Sequence, residues 1–336
     1  MHPLNKYRLT LFGLSALWIY YFHFGNETFY NVSFLQNIKQ FIQKHGYLGV
    51  DIFVFLSAIG LETLFVNTKT FSFQFLRHYY TRRLSRIYSV YLPFTVIKTI
   101  FRNNFSLSCI KLLCFYPNIT QSMYSNHWFV PTILCYYLFA PFYWQLFLHS
   151  KNKVRCTCGF VSFFLLAQSI FGPIIRRDII CIFNRIPVFI LGFNYGHSIR
   201  NNSTYKRNGN WISVITIILS SFLIIICDRF AVRIRTINPI YLVQLVAIPA
   251  LIQLISSLFE YLDSKVLGHL LVLFLNKIGT MSLPVYLLGS LLHNQTRNFR
   301  IPHQQKEFGL FLVTIITACG LQESFGSLHK INHVTA

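Results

Sequence analysis

The chain has 336 residues, of which 54% are hydrophobic and only 12% charged, with a formal net charge of +21 and a mean hydropathy of +0.48. An ordinary soluble domain carries about twice that charged fraction, roughly 25%, so a water-soluble enzyme is excluded. The basic excess does not imply nucleic acid either, because most Lys and Arg lie between apolar runs, where they orient helices and meet anionic membrane lipid.

The apolar runs are continuous, not the alternating segments of about ten residues that mark a membrane barrel. The expected fold is therefore all-α, a polytopic membrane protein of about ten transmembrane helices with its N-terminus cytoplasmic. The spans are expected at 9–25, 47–66, 87–101, 128–148, 159–175, 179–197, 211–227, 238–259, 270–292 and 307–321. The third is interrupted by Pro93 and Lys98. Together they form one membrane domain over 1–322, followed by a polar tail at 323–336. The first run ends in FHFGNE without a small-residue cleavage site, so it is retained as a helix. In the first half of the chain, thirteen Lys and Arg fall on the side that holds the N-terminus and six on the other, which sets the orientation. The eight cysteines suggest no disulfide framework, and the CxC at Cys156 and Cys158 lacks partner ligands, so no metal is expected. The sequons at Asn26 and Asn118 matter only in a secretory pathway.

In the first run, LTLFGLSALWIYYFHF, His23 stands where lipid disfavours a histidine, which makes it a candidate functional residue. It is also the side chain suited to proton transfer near neutral pH. Arg8 precedes it by fifteen residues, about 22 Å along a helix. The second run holds Asp51 and Glu62, two of only nine acids in the chain. Eleven residues are close to three helical turns, so both acids face nearly one side. Helical rise puts Asp51 at the depth of His23 and Glu62 at that of Arg8. Two rungs are expected, Asp51 with His23 and Glu62 with Arg8, the carboxylate of the first holding the imidazole in one tautomer. The alternative is that both acids form structural ion pairs with arginines elsewhere in the chain.

The segment FQFLRHYYTRRLSRIYSVYLP follows. Arg83 and Arg86 share a helix face, and with Arg82 and Arg77 they make a basic patch. Such a patch anchors the chain to the cytoplasmic surface or binds phosphates through bidentate donors. The fourth run opens with His127 and Trp128, an interfacial anchor beside a second candidate acid or base.

Six segments in this order resemble the acyltransferase 3 family of integral-membrane acyltransferases: GLSALWIYYFHF, GVDIFVFLSAIGL, RRLSRIYSVYLP, HWFVPTILCYYLFAP, RIPVFILGFNYG and LNKIGTMSLPVYLLGSLLH. The resemblance implies catalysis by His23, and Asp51, the Arg83 and Arg86 pair and Trp128 match further family positions. Asp51 is expected to assist His23. Substrate binding is expected of Arg83, Arg86 and Trp128 and, from the basic patch and the second rung, of Arg8, Arg82 and Glu62. The resemblance implies no permanently bound cofactor. The donor would be acyl-CoA, acetyl-CoA in most members, and the acceptor a carbohydrate or lipid-linked glycan. The implied location is a cell membrane, the bacterial cytoplasmic membrane, crossed many times. Phe12 stands where many members have an arginine, and Arg8 one turn earlier is the expected substitute. Ala58 replaces a usual glycine, Ser89 a proline and Gly289 a histidine. A proton-coupled transporter, or a degenerate member that only binds a lipid-linked glycan, are the competing expectations.

Overall fold

A computed structural model describes residues 2–24, 40, 42–66, 68, 71–101, 128–172, 177–201, 209–229, 239–296 and 309–321. His127, the sequons at Asn26 and Asn118 and the tail at 323–336 lie outside them. The described elements are helical. In chain order they are α1 (Pro3–Lys6), α2 (Arg8–Phe24), α3 (Tyr47–Phe65), α4 (Phe73–Phe101), α5 (Phe129–His149), α6 (Lys153–Phe171), α7 (Arg177–Asn201), α8 (Gly209–Arg229), α9 (Ile240–Asp263), α10 (Val266–Thr280) and α11 (Ser282–Thr296). A last apolar helix, α12, covers Gly309–Leu321.

The chain is an all-α membrane protein. By length and composition α3, α6, α8 and α9 each suffice to cross a bilayer, and α10 with the start of α11 makes a fifth as a broken span. The sequence expectation of about ten spans also draws on α2, which has 17 residues, and on α4 and α7, which carry several arginines.

Two expected boundaries are corrected. The span placed at 87–101 begins at Phe73, and Pro93 sits inside one helix of 29 residues. The span placed at 270–292 is two helices meeting at 72°. Pro284 explains the break. It has no N–H for the Thr280 carbonyl and its ring would collide with that carbonyl, so the helix ends at Thr280 and restarts with Pro284 in its first turn.

α3 is the centre of the bundle, with Val54, Phe55, Leu56 and Phe65 fully buried. α7 lies against it in the same direction, at a distance glycine permits. A methyl on Gly192 would stand 2.6 Å from the Phe55 carbonyl oxygen and 2.7 Å from the Ala58 Cβ. The extra carbon of Ala58 is thus accommodated by the missing one of Gly192. On the opposite side α2 packs in parallel on α10, where Gly13 and Gly279 bring the two backbones into contact. Thr10 donates a 2.7 Å hydrogen bond to the side-chain amide oxygen of Asn276 across this seam. The N-terminal turn is tied to the end of α9, where Asp263 accepts 2.8 Å hydrogen bonds from Lys6 and from the Tyr7 hydroxyl. α6 and α8 form the periphery and present Phe163, Leu166 and Ile170, and Ile215, Leu219 and Phe222, to their surroundings. Such faces are costly in water and normal in lipid.

Candidate functional site

Three groupings of polar residues interrupt the apolar bundle. The first is a small cavity at the end of α2. His23, Ala16 and Ile19 line it together with Val50 and Phe53 of α3, Trp128 and Phe129 at the start of α5, and Ser282, Leu283 and Tyr286 of α11. Its free space is about 50 Å³, against roughly 10–15 Å³ for one water, so it holds a few waters or one short substituent. The cavity lies at the α10–α11 bend, with Ser282, Leu283 and Tyr286 just past the break in its lining. Tyr20, on the same helix as His23, is outside the lining and meets Phe311 edge-on at 5.4 Å.

Asp51 is at the level of this cavity but turned away from it. Its neighbour Val50 faces His23, whereas the carboxylate, fully buried, meets Arg185 of α7 with Nε 3.0 Å from Oδ1. Neither Asp51 oxygen accepts a hydrogen bond from His23. The expected Asp51–His23 rung is therefore corrected: helical rise fixes depth along the membrane, while one residue of rotation, about 100°, decides the facing helix. The Arg185 guanidinium also lies over the Trp128 ring at 4.8 Å and the Tyr241 ring at 5.5 Å.

The second grouping is the other expected rung, and it too runs to α7. Glu62 is buried and pairs with Arg200 at 2.6 Å, with His197 Nδ1 at 3.8 Å. Asp51 and Glu62 do share one face of α3, as their spacing predicts, but both face α7. Both acids thus pair with arginines elsewhere in the chain. Arg8 approaches α3 on a different side. Its Nη1 lies 3.3 Å from where a Cβ on Gly60 would be, so the guanidinium comes close against α3 at that glycine.

The third grouping forms around Arg8. It is half-buried, and Arg83 of α4 is close enough for the two charges to repel. Arg83 is held over the rings of Tyr137, at 5.3 Å, and Tyr79, at 5.9 Å. This setting follows from Pro141, which cannot donate to the Tyr137 carbonyl one turn before it. The Tyr79 hydroxyl donates to that carbonyl instead, at 3.0 Å. Arg82 and Arg86 are exposed, and Arg82 turns to His78 at 3.5 Å. The basic patch is thus divided, with Arg83 inward beside Arg8 and Arg82 and Arg86 outward.

His23 and Trp128 are brought together, as are Arg8 and Arg83. Asp51, Glu62, Arg82 and Arg86 do not join either pair. Sequence reasoning passed over Arg185, Arg200 and Tyr286. For Arg185 a signal existed, since an arginine heading the apolar stretch RIPVFILGF is as costly in lipid as His23. Among the described residues no group of three His, Cys, Asp or Glu is placed to hold a metal ion.

The family model described as an acyltransferase domain, acyltransferase 3, matches residues 13–321. No curated protein and no solved structure matches the chain.

Proposed function

The chain belongs to the acyltransferase 3 family and is a membrane acyltransferase, and on that premise we propose that it moves an acyl group, most simply acetyl, from cytosolic acyl-CoA to a hydroxyl of a cell-surface or exported carbohydrate. The observation that carries this reading is the arrangement of α2. His23 lines a cavity at one end, and at the other, about 22 Å away by helical rise, Arg8 lies within electrostatic reach of Arg83. Two arginines with converging charges suit an anion, and Arg83, planar and fixed on Tyr79 and Tyr137, suits a phosphate. The donor's phosphates would sit there with the N-terminus cytoplasmic, and the thioester arm would run along α2 past Phe12 and Phe53, whose rings are 5.1 Å apart.

In the cavity, neutral His23 takes the proton of the acceptor hydroxyl as its oxygen attacks the thioester carbonyl. The carbon–sulfur bond breaks, and the thiolate of CoA leaves. A base so placed contributes about 10² to 10⁴ in rate. Ser282 and Tyr286 are the hydroxyls of the cavity lining near the carbonyl oxygen that gains charge, and Trp128 offers a flat apolar face to a sugar ring. Membrane lipid surrounds the bundle, and the bacterial cytoplasmic membrane is the proposed location. Arg82 and Arg86, being exposed, are assigned to the charged membrane surface or to the donor's approach.

Mass spectrometry of surface glycans from cells with and without the chain tests the proposal. O-acyl groups should appear only with the chain. Flux of a substrate without any new acyl ester would instead identify a transporter.

A further inference from the structure

We infer that Arg185 is a positioning residue of the transfer reaction: it fixes the Trp128 ring as a wall of the cavity that ends at His23, and Asp51 serves to hold Arg185. The inference rests on the acyltransferase reading of that cavity.

Arg185 is 3% exposed, in the interior of an apolar helix. A guanidinium there needs strong compensation, and Asp51, at 0% exposure and 3.0 Å, supplies the opposite charge. The pair alone would make a structural tie between α3 and α7. The aromatic contacts ask for more than charge. One guanidinium touches Trp128 at the start of α5 and Tyr241 at the start of α9 while paired to α3, so it joins four helices at one depth. Trp128 is also a lining residue of the His23 cavity. A planar cation over an indole face restrains the tilt of the ring, which an ammonium, a point charge on a flexible stem, does not. On α3, consecutive residues divide the work. Val50 lines the cavity, and Asp51 anchors the arginine that restrains another wall.

The test uses the purified full-length chain and the rate at which diethyl pyrocarbonate modifies His23, followed by peptide mass spectrometry. Trp128→Ala should open the wall and accelerate modification several-fold. Arg185→Lys keeps the charge opposite Asp51 but loses the planar face, and should produce a similar acceleration in a monodisperse protein. A purely structural arginine would lower thermal stability in the lysine variant and leave His23 reactivity alone. An unchanged rate in Arg185→Lys, or in Trp128→Ala, overturns the inference. If the lysine variant fails to fold, the paired change Asp51→Asn with Arg185→Gln, neutral and similar in shape, is read the same way. No acyl donor or acceptor enters this measurement. CoA release from acetyl-CoA by wild type and His23→Ala is followed in parallel, so failure of the transferase reading and failure of the positioning role give different results.

Discussion

At the scale of residues, Asp51 and Glu62 carry most of the charge pairing inside the bundle, and their partners decide what substitutions should do. Removing the Asp51 charge takes away the carboxylate 3.0 Å from the Arg185 guanidinium, which stays buried beside two aromatic rings. Breaking such a pair from one side costs about 3–5 kcal/mol, whereas replacing both partners by apolar residues is often neutral. Asp51→Ala should therefore unfold at markedly lower temperature, and Asp51→Leu with Arg185→Met should recover much of the loss. Were Asp51 the direct orienter of His23, its removal would lower the transfer rate while leaving the thermal midpoint in place. The divided basic patch gives a second expectation. Charge-assisted hydrogen bonds contribute about 1.5–3 kcal/mol, so Arg83→Ala should weaken acyl-CoA binding by roughly 10- to 100-fold, since about 1.4 kcal/mol is tenfold. Arg82→Ala, exposed and turned to His78, should change it little. Isothermal titration of the two variants with acetyl-CoA measures the contrast.

At the scale of elements, what was legible in the sequence was depth, and what was not was azimuth. The rise per residue put Asp51 beside the level of His23 and Arg8 near that of Glu62. Val50 and His23 do line one cavity, and Arg8 does reach Gly60, two residues before Glu62. The partners were missed because each side chain's direction depends on which helix packs where, and that is set by small residues far along the chain. Gly192 admits α7 to α3, and Gly13 with Gly279 admits α10 to α2. A glycine in an apolar run does not declare its partner. Likewise Met281 ends α10 inside a run that reads as one span, and only the Pro284–Thr280 relation betrays the bend. The close approaches are testable. Gly13→Ala or Gly279→Ala puts a methyl into the neighbouring backbone and should cost about 1–3 kcal/mol, the usual range for overpacking. Gly159→Ala, on the open side of α6 with nothing within 4 Å, should not. Thermal unfolding of the three variants in the same detergent distinguishes them.

At the scale of the whole molecule, the proposed function divides the bundle into a donor end and an acceptor end, joined along α2. The family motifs were legible because they carry the costly residues, His23, Arg83 and Trp128, and the acyltransferase domain match over 13–321 agrees with them. The division into ends requires the N-terminus and the α5–α6 turn at Ser150 to lie on the cytoplasmic side. In a cysteine-free background, a membrane-impermeant maleimide should label Ser150→Cys only after permeabilisation. Labelling in intact cells would invert the proposed path. The most direct measurement is acyl transfer itself. Wild-type chain and His23→Ala, expressed to equal levels in the same cells, are compared for O-acetyl groups on surface glycans. The expected result is acetylation with the wild type and loss of at least a hundredfold with the alanine variant, the smallest effect of a general base. Acetylation undiminished in His23→Ala would contradict it.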